Sequence, residues 1–365
     1  MADMVTNSHY KKIVIKIGTN VITKDDGLLN LEVMEHIVEQ ISTLKKTGVE
    51  IIVVSSGAVG AGRSIIKPKS AGNIVQKQLL AAVGQIPLMS TYSELFKKHS
   101  LICGQVLATK EDFRDRAHYL NMKNCFEALL HNEAVPIVNE NDVIAVSELM
   151  FTDNDELAGF VASMMNVDAM IILSNVNGVY DRDPLEKDAK ILNEIDVGMP
   201  DLEKFISPRK SPMGRGGMLT KCRIAIKLSE LGITTNIANG TQNNVLLDII
   251  DNKSVGTKFV GLESTSSSKR WVANSDEKGS IVVNNGAAGI LTKKQKAISI
   301  LPVGVIKVEG DFHKGDIIKV CSEDGHKIGI GMAQYDAATA KEYMGQKDKK
   351  PIIHYDYLFI TSCII

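Results

Sequence analysis

Residues 135–156, VPIVNENDVIAVSELMFTDNDE, decide how this chain is read. An apolar segment from Ala134 to Val138 reads as a buried strand and passes at once into Asn139, Glu140, Asn141 and Asp142. A dozen residues later Asp153-Asn154-Asp155 stands before Leu157 to Val161, where the pattern turns helical. Ligands of open α/β sheets bind at the carboxyl ends of strands, so a strand ending in amides and carboxylates is a candidate site. Asn and Asp also cap helices and make turns without any ligand. What separates the two readings is whether other parts of the chain supply cations to the same place.

Working back towards the N-terminus, Ile13 to Ile17 is a strand broken by Lys16 and followed by Gly18-Thr19-Asn20. A lysine there can reach a phosphate whose remaining oxygens face the N–H groups of the turn; a snorkelling edge lysine is the plainer explanation. Leu29 to Lys46 has helical spacing, and Ile51 to Val54 is a short strand leading into Ser55-Ser56-Gly57-Ala58-Val59-Gly60-Ala61-Gly62. These glycines have neither dinucleotide nor Walker spacing, so they suit an anion or simply close packing. Lys77 to Val83 and Ile86 to Leu95 read as two helices, with Pro87 near the start of the second. Leu101 to Leu107 is another strand and Leu120 to Leu130 another helix. Alternating strands and helices predict a mostly parallel sheet covered on both faces.

Forward of residue 156, Ala169 to Leu173 is a strand ending in Ser174-Asn175 and a turn-rich loop through Pro184. Residues 211–221, SPMGRGGMLTK, place glycines before a helix with Lys221 in its first turns, which suits a polyphosphate. Ile233 to Ala238 is the last strand of this half. The polar run 263–269, ESTSSSK, reads as a linker, and from Lys269 onwards short β segments punctuated by glycines predict a small barrel or sandwich.

A net charge of −1 and 44% hydrophobic residues describe an ordinary globular chain with no global pull towards nucleic acid or membrane. The five cysteines lack CxxC or Cys/His ligand spacing and read as reduced thiols. Met1 to Lys12 has no signal-peptide core, and no apolar run approaches the ~20 residues of a span, so the expected compartment is the cytoplasm.

Taken together, KIGT (16–19), SSGA (55–58), VNEND (138–142), DND (153–155), GVYDRDP (178–184) and GGMLTK (216–221) resemble, in order, the amino-acid kinase family. The resemblance is to its branch that phosphorylates the side-chain carboxylate of L-glutamate at the first step of proline synthesis. It implies that Lys16 and Lys221 approach the transferring phosphate from two sides, with Asp155 holding their ammonium groups. Ser56, Asn139, Asp142 and Asn154 would bind glutamate, with Asp153 close by. Lys16, Gly18, Ser174, Asn175, Arg215, Gly216, Gly217, Met218, Leu219, Thr220 and Lys221 would embrace ATP, and Mg²⁺ would ride on its phosphates rather than on protein ligands. Relatives commonly carry Thr-Asp at Ser174-Asn175 and a smaller residue at Arg215.

The segment from Lys269 to Ile365 is similar to the PUA domain, an RNA-binding module appended to many bacterial members of this branch. Its final Ile-His-Arg-Asp pattern stands here as Ile353-His354-Tyr355-Asp356, without the arginine. Lys293, Lys294 and Lys296 make no strong electrostatic footprint, so a structural or regulatory role is expected ahead of RNA. The expected organisation is a kinase domain over residues 1–261, a linker over 262–268 and a PUA-like domain over 269–365. Inhibition by proline and a dimeric or tetrameric assembly are implied by the resemblance alone. The alternatives are a family member acting on acetylglutamate, aspartate or UMP, and an RNA-binding protein whose kinase half is inactive.

Overall fold

The computed structural model describes residues 10–24, 26–67, 74–144, 151, 153–196, 217–262, 266–292 and 298–360. The chain divides into two compact units, Met1–Glu263 and Ser264–Ile365.

The first unit is built on β1 (Lys12–Ile17), β2 (Glu50–Ser55), β3 (Cys103–Ala108), β4 (Val135–Glu140), β5 (Ala169–Ser174), β6 (Glu194–Ile195), β7 (Thr234–Asn239) and β8 (Thr257–Phe259). They form one eight-stranded sheet in the order β3-β4-β2-β1-β5-β7-β8-β6. Every pairing is parallel except β7 with β8. Ile13, Val14, Ile15 and Ile17 are all buried, as expected of a parallel strand covered on both faces. The register places Ile17 beside both Ser55 and Leu173, and Ser174 beside Asn239, so several strands end together at one edge. Neither β6 nor β8 was legible in the sequence, because two or three residues carry no periodicity.

Around the sheet lie α1 (Thr19–Ile22), α2 (Leu31–Lys46), α3 (Ala58–Ile65), α4 (Ile74–Lys98), α5 (Lys110–Arg114), α6 (Arg116–His131), α7 (Asn154–Met165), α8 (Met218–Glu230) and α9 (Val245–Ile250). Met34, Ile37 and Ile41 of α2, Leu88 and Phe96 of α4 and Leu246 of α9 share one core with Ile13, Ile15 and Ile17. Helix α7 lies across β1, β2, β4 and β5 and is buried on almost every side, from Leu157 to Met165.

The two helices expected on either side of Pro87 are one: α4 runs unbroken for 25 residues with Pro87 inside it. An interior proline costs a helix ~3 kcal/mol, which tertiary burial outweighs here. Leu88, Tyr92 and Phe96 go into the core beyond the proline. Before it, α4 meets α3 backbone to backbone. A Cβ on Gly84 would stand 1.8 Å from the Ala58 carbonyl oxygen, and one on Gly62 2.0 Å from that of Leu80. Only glycine permits that approach.

The second unit contains β9 (Glu277–Val283), β10 (Val305–Gly310), β11 (Ile317–Cys321), β12 (Lys327–Ala333) and β13 (Ile353–Ile360), joined as one sheet in the order β10-β9-β11-β12-β13. Of the barrel and the sandwich expected, a pair of stacked sheets is thus not what the described residues form. Ile281, Val283, Phe312, Ile318 and Val320 make its core. Three short helices, α10 (Ser267–Asn274), α11 (Asn285–Thr292) and α12 (Ala337–Tyr343), were not anticipated. The serine-rich stretch expected as a linker through residue 268 turns helical at Ser267, because the Ser266 side chain accepts from the Lys269 N–H and caps α10. Lys293, Lys294 and Lys296 lie outside the described residues.

Candidate active site

The strand ends supply the cations first. Lys16 is the penultimate residue of β1, and Lys221 lies in the first turns of α8. Both ammonium groups converge on Asp155 in the first turn of α7: Lys16 Nζ is 2.6 Å from Oδ1 and Lys221 Nζ 2.6 Å from Oδ2. All three are sequestered, with 5% of Lys16, 7% of Lys221 and none of Asp155 exposed. Burial alone pushes the Asp155 carboxyl up. The two ammonium charges and their hydrogen bonds overcome that and hold it below the ordinary carboxylate range. One buried anion therefore fixes the positions of two lysines.

Asp153 precedes this group as the N-cap of α7. Its Oδ1 accepts from the N–H groups of Asp155 and Glu156 at 2.9 and 3.0 Å, which is why this acidic run starts a helix here. Its Oδ2 is buried with no partner among the described residues. Burial, and then the charge of Asp155, raise the Asp153 pKa. The site therefore contains a carboxylate oxygen in want of a cation or donor.

Asn154 ties the strand ends together. Its Nδ2 donates to the Ser55 carbonyl at 3.1 Å, to Ser56 Oγ at 3.0 Å and to Asn139 Oδ1 at 3.0 Å. Ser56 follows β2 at an elbow that needs Gly57 at φ 105°, in the left-handed region, before α3 starts. Asn139 Nδ2 donates in turn to Gln85 Oε1 of α4 at 2.9 Å. Ser56, Asn139 and Asn154 are thus brought together as the sequence predicts. Asp142 pairs its carboxylate with Lys77 of α4, whose Nζ is also 3.9 Å from Glu140. Nothing in the sequence pattern singled out Lys77 or Gln85.

Where the nucleotide was expected, Gly217 is the N-cap of α8 and offers no side-chain cap, at a helix N-terminus without acidic residues in its first turn. Thr220 follows in that turn, and Arg215 and Gly216 lie outside the described residues. Ser174 and Asn175 sit at the end of β5, with Ser174 Oγ 3.5 Å from Asn175 Oδ1. Gly18 reaches the same edge in a different capacity from the one expected. Its N–H already donates to the Leu173 carbonyl, and a Cβ there would stand 3.2 Å from that oxygen and 3.7 Å from Lys16 Nζ. What it eases is the close approach to the Leu173 carbonyl, since 3.7 Å from the lysine is an ordinary contact.

This arrangement can gather anionic oxygens between two fixed cations. It is not built for thiol chemistry: Cys222, next to Lys221, has its pKa pushed up to about 12 by burial.

Comparison with known proteins agrees with the geometry. The model of the amino acid kinase family matches residues 11–239, and that of the PUA domain residues 279–355. A glutamate 5-kinase of Chlorobaculum tepidum is 52% identical over 96% of this chain and 98% of its own length. One of Bacteroides thetaiotaomicron is 49% identical over 96% and 99%. Among solved structures, a carbamate kinase from Giardia lamblia bound to AMP-PNP superposes with a TM-score of 0.52 at 18% identity, covering 70% of this chain and all of that one. A UMP kinase from Bacillus anthracis gives 0.50, also at 18%, covering 69% of this chain and 96% of its own; at such identity these two speak for the fold alone. The sheet, the paired lysines and relatives half identical along nearly the whole length lead to one conclusion: the chain belongs to the amino acid kinase family, on its glutamate 5-kinase branch.

Proposed function

We propose that this site transfers the γ-phosphoryl group of ATP to the side-chain carboxylate of L-glutamate, giving L-glutamyl 5-phosphate for proline biosynthesis. The observation that carries the reading is the convergence of Lys16 and Lys221 on buried Asp155, one residue from the amide that links Ser56 to Asn139. A carboxylate is a nucleophile as it stands, so the reaction needs no general base. One carboxylate oxygen forms a bond to phosphorus as the bond from phosphorus to the β-phosphate bridging oxygen breaks, and ADP leaves with that electron pair. No proton is taken up or released.

What the protein must supply is charge neutralisation and alignment of two anions, together with stabilisation of a loose transition state. Lys16 and Lys221 neutralise the phosphoryl oxygens, and Asp155 fixes where those charges stand. The N–H groups opening α8, with Ser174 and Asn175, support the nucleotide. Asp153 Oδ2 takes the ammonium group of glutamate, which removes its unpartnered state. Ser56, Asn139 and Asn154 align the acceptor. Among the described residues no three His, Cys, Asp or Glu side chains converge on a metal position. Mg²⁺ would enter with the phosphate oxygens of ATP and would neutralise charge on the nucleotide.

The same reading carries the expectations of a dimer or tetramer, of inhibition by proline at the acceptor pocket, and of a cytoplasmic location. Among the described residues no helix is long and apolar enough to cross a membrane. The test is an ATP- and Mg²⁺-dependent assay against glutamate, acetylglutamate, aspartate and UMP, with hydroxylamine trapping acyl phosphates. A hydroxamate formed with glutamate alone supports the assignment. ADP release with a different acceptor overturns the substrate.

A further inference from the structure

Gln85 belongs to no motif, yet it stands at the end of an amide chain whose direction is fixed at both ends. At one end the Glu140 N–H donates to Asn139 Oδ1 at 2.9 Å. A backbone N–H can only donate, so the other amide atom of Asn139 is its NH₂, and the Gln85 atom 2.9 Å away must be the carbonyl oxygen. At the other end the Ser55 carbonyl can only accept, which makes Asn154 Nδ2 the donor to the same Asn139 Oδ1. Gln85 Nε2 is thereby left pointing away from Asn139 with both of its N–H bonds unused. It is out of contact with solvent and has no partner among the described residues. A buried donor without an acceptor is uncommon enough to call for an explanation.

Gly84, the residue before Gln85, is in backbone contact with Ala58 and Gly62 of α3, so Gln85 lies close against the helix that follows the Ser56 elbow. From the lysine pair the chain of groups runs Asp155, Asn154, Asn139, Gln85. The reacting carboxylate belongs at the lysine end, and the opposite end of a dicarboxylic amino acid is its α-carboxylate.

We propose that Gln85 is a substrate-binding residue whose Nε2 donates to the α-carboxylate of glutamate, completing an acceptor site formed by Ser56, Asn139, Asn154 and Asp153. This rests on the glutamate reading above. Asn139 then acts both as a contact and as the group that orients the Gln85 amide.

The experiment compares Gln85→Ala and Gln85→Glu with the wild-type full-length chain in the hydroxamate assay, reading KM for glutamate and for ATP separately. The glutamate variant keeps an oxygen to accept from Asn139 Nδ2 and replaces the donor by a second, charged acceptor. Loss of one hydrogen bond to a charged group predicts a KM for glutamate raised about 10- to 100-fold in both variants, with the glutamate variant the worse, and a KM for ATP within about threefold. KM does not depend on the active fraction of a preparation, so partial misfolding does not hide the effect. A Gln85→Glu enzyme with a wild-type KM for glutamate would overturn the proposal and reduce Gln85 to a support for Asn139. So would a loss confined to kcat. Absence of turnover of glutamate by the wild type would instead refute the reading on which the proposal rests.

Discussion

Replacing Asp155 by Asn removes one charge and almost no volume from the centre of the site. In the folded protein it leaves two ammonium groups, 5% and 7% exposed, facing an amide that can satisfy at most part of their demand. Breaking a buried ion pair by removing one partner typically costs about 3–5 kcal/mol, and here one carboxylate serves two cations. At roughly 2–4 °C per kcal/mol for a unit of this size, the melting temperature should fall by about 6–20 °C. The acid arm should change too. Burial raises the Asp155 carboxyl but Lys16 and Lys221 lower it further, to below its ordinary 3.8. The unfolded chain therefore binds this proton first, so the stabilisation is complete above that pH and is lost as pH falls towards the folded value; the Asn variant should lack that dependence. Catalysis should drop by on the order of 10²-fold or more in kcat, since the cations are no longer aligned on the phosphoryl group. ATP supplies anions to the stranded lysines, so saturating ATP should raise the variant's melting temperature by more than it raises that of the wild type. Thermal scans with and without ATP, beside single-turnover kinetics, measure all of this. A variant that melts within about 2 °C of wild type, with kcat unchanged, would refute the account of Asp155 as the anchor of both lysines.

Lys221→Ala leaves the Lys16–Asp155 pair in place, so it should lower kcat by on the order of 10²-fold or more with a smaller loss of melting temperature than the Asp155 change; unchanged kcat removes Lys221 from the chemistry. Burial and the Asp155 charge raise the Asp153 pKa, so its anionic form is lost as pH falls through a value above the usual 3.8. KM for glutamate should rise there, and Asp153→Asn, which still caps α7, should have a raised KM without that pH dependence. Residues 1–262 expressed alone should retain phosphoryl transfer, because every site contact described lies in the first unit; a folded fragment without kcat would show that the second unit completes the site.

Lys16, Asn139, Asp153, Asn154, Asp155 and Lys221 stood out because each sits where a strand or helix ends and breaks the apolar pattern around it, while their roles, and Ser56 as a site residue, came from the family resemblance. Gln85 and Lys77 were not, since a polar residue on a helix has the same appearance whether it faces solvent or another amide. The fold was readable from the alternation of buried strands with amphipathic helices. Its edge was not: β6 and β8 are too short to carry a period, so the antiparallel pairing of β7 with β8 left no signal. Pro87 misled because local preference places it at a helix start, while the burial that carries α4 through it is tertiary. In the second unit, Gly286 and Gly289 hid α11, while α10 and α12, of eight and seven residues, are too short to show a helical period.

The crossing of α3 and α4 has a mechanical consequence. Most helix pairs meet through side chains, which can change rotamer and absorb a displacement of a few tenths of an ångström. Where Gly62 and Gly84 bring main chain against main chain, that slack is missing. The two helices therefore behave as one lever with the Ser56 elbow at one arm and Gln85 beside the pivot. Val75 and Ile86 are exposed on α4. A displacement applied to that side would move Gln85 together with α3, whose N-terminus follows the Ser56 elbow.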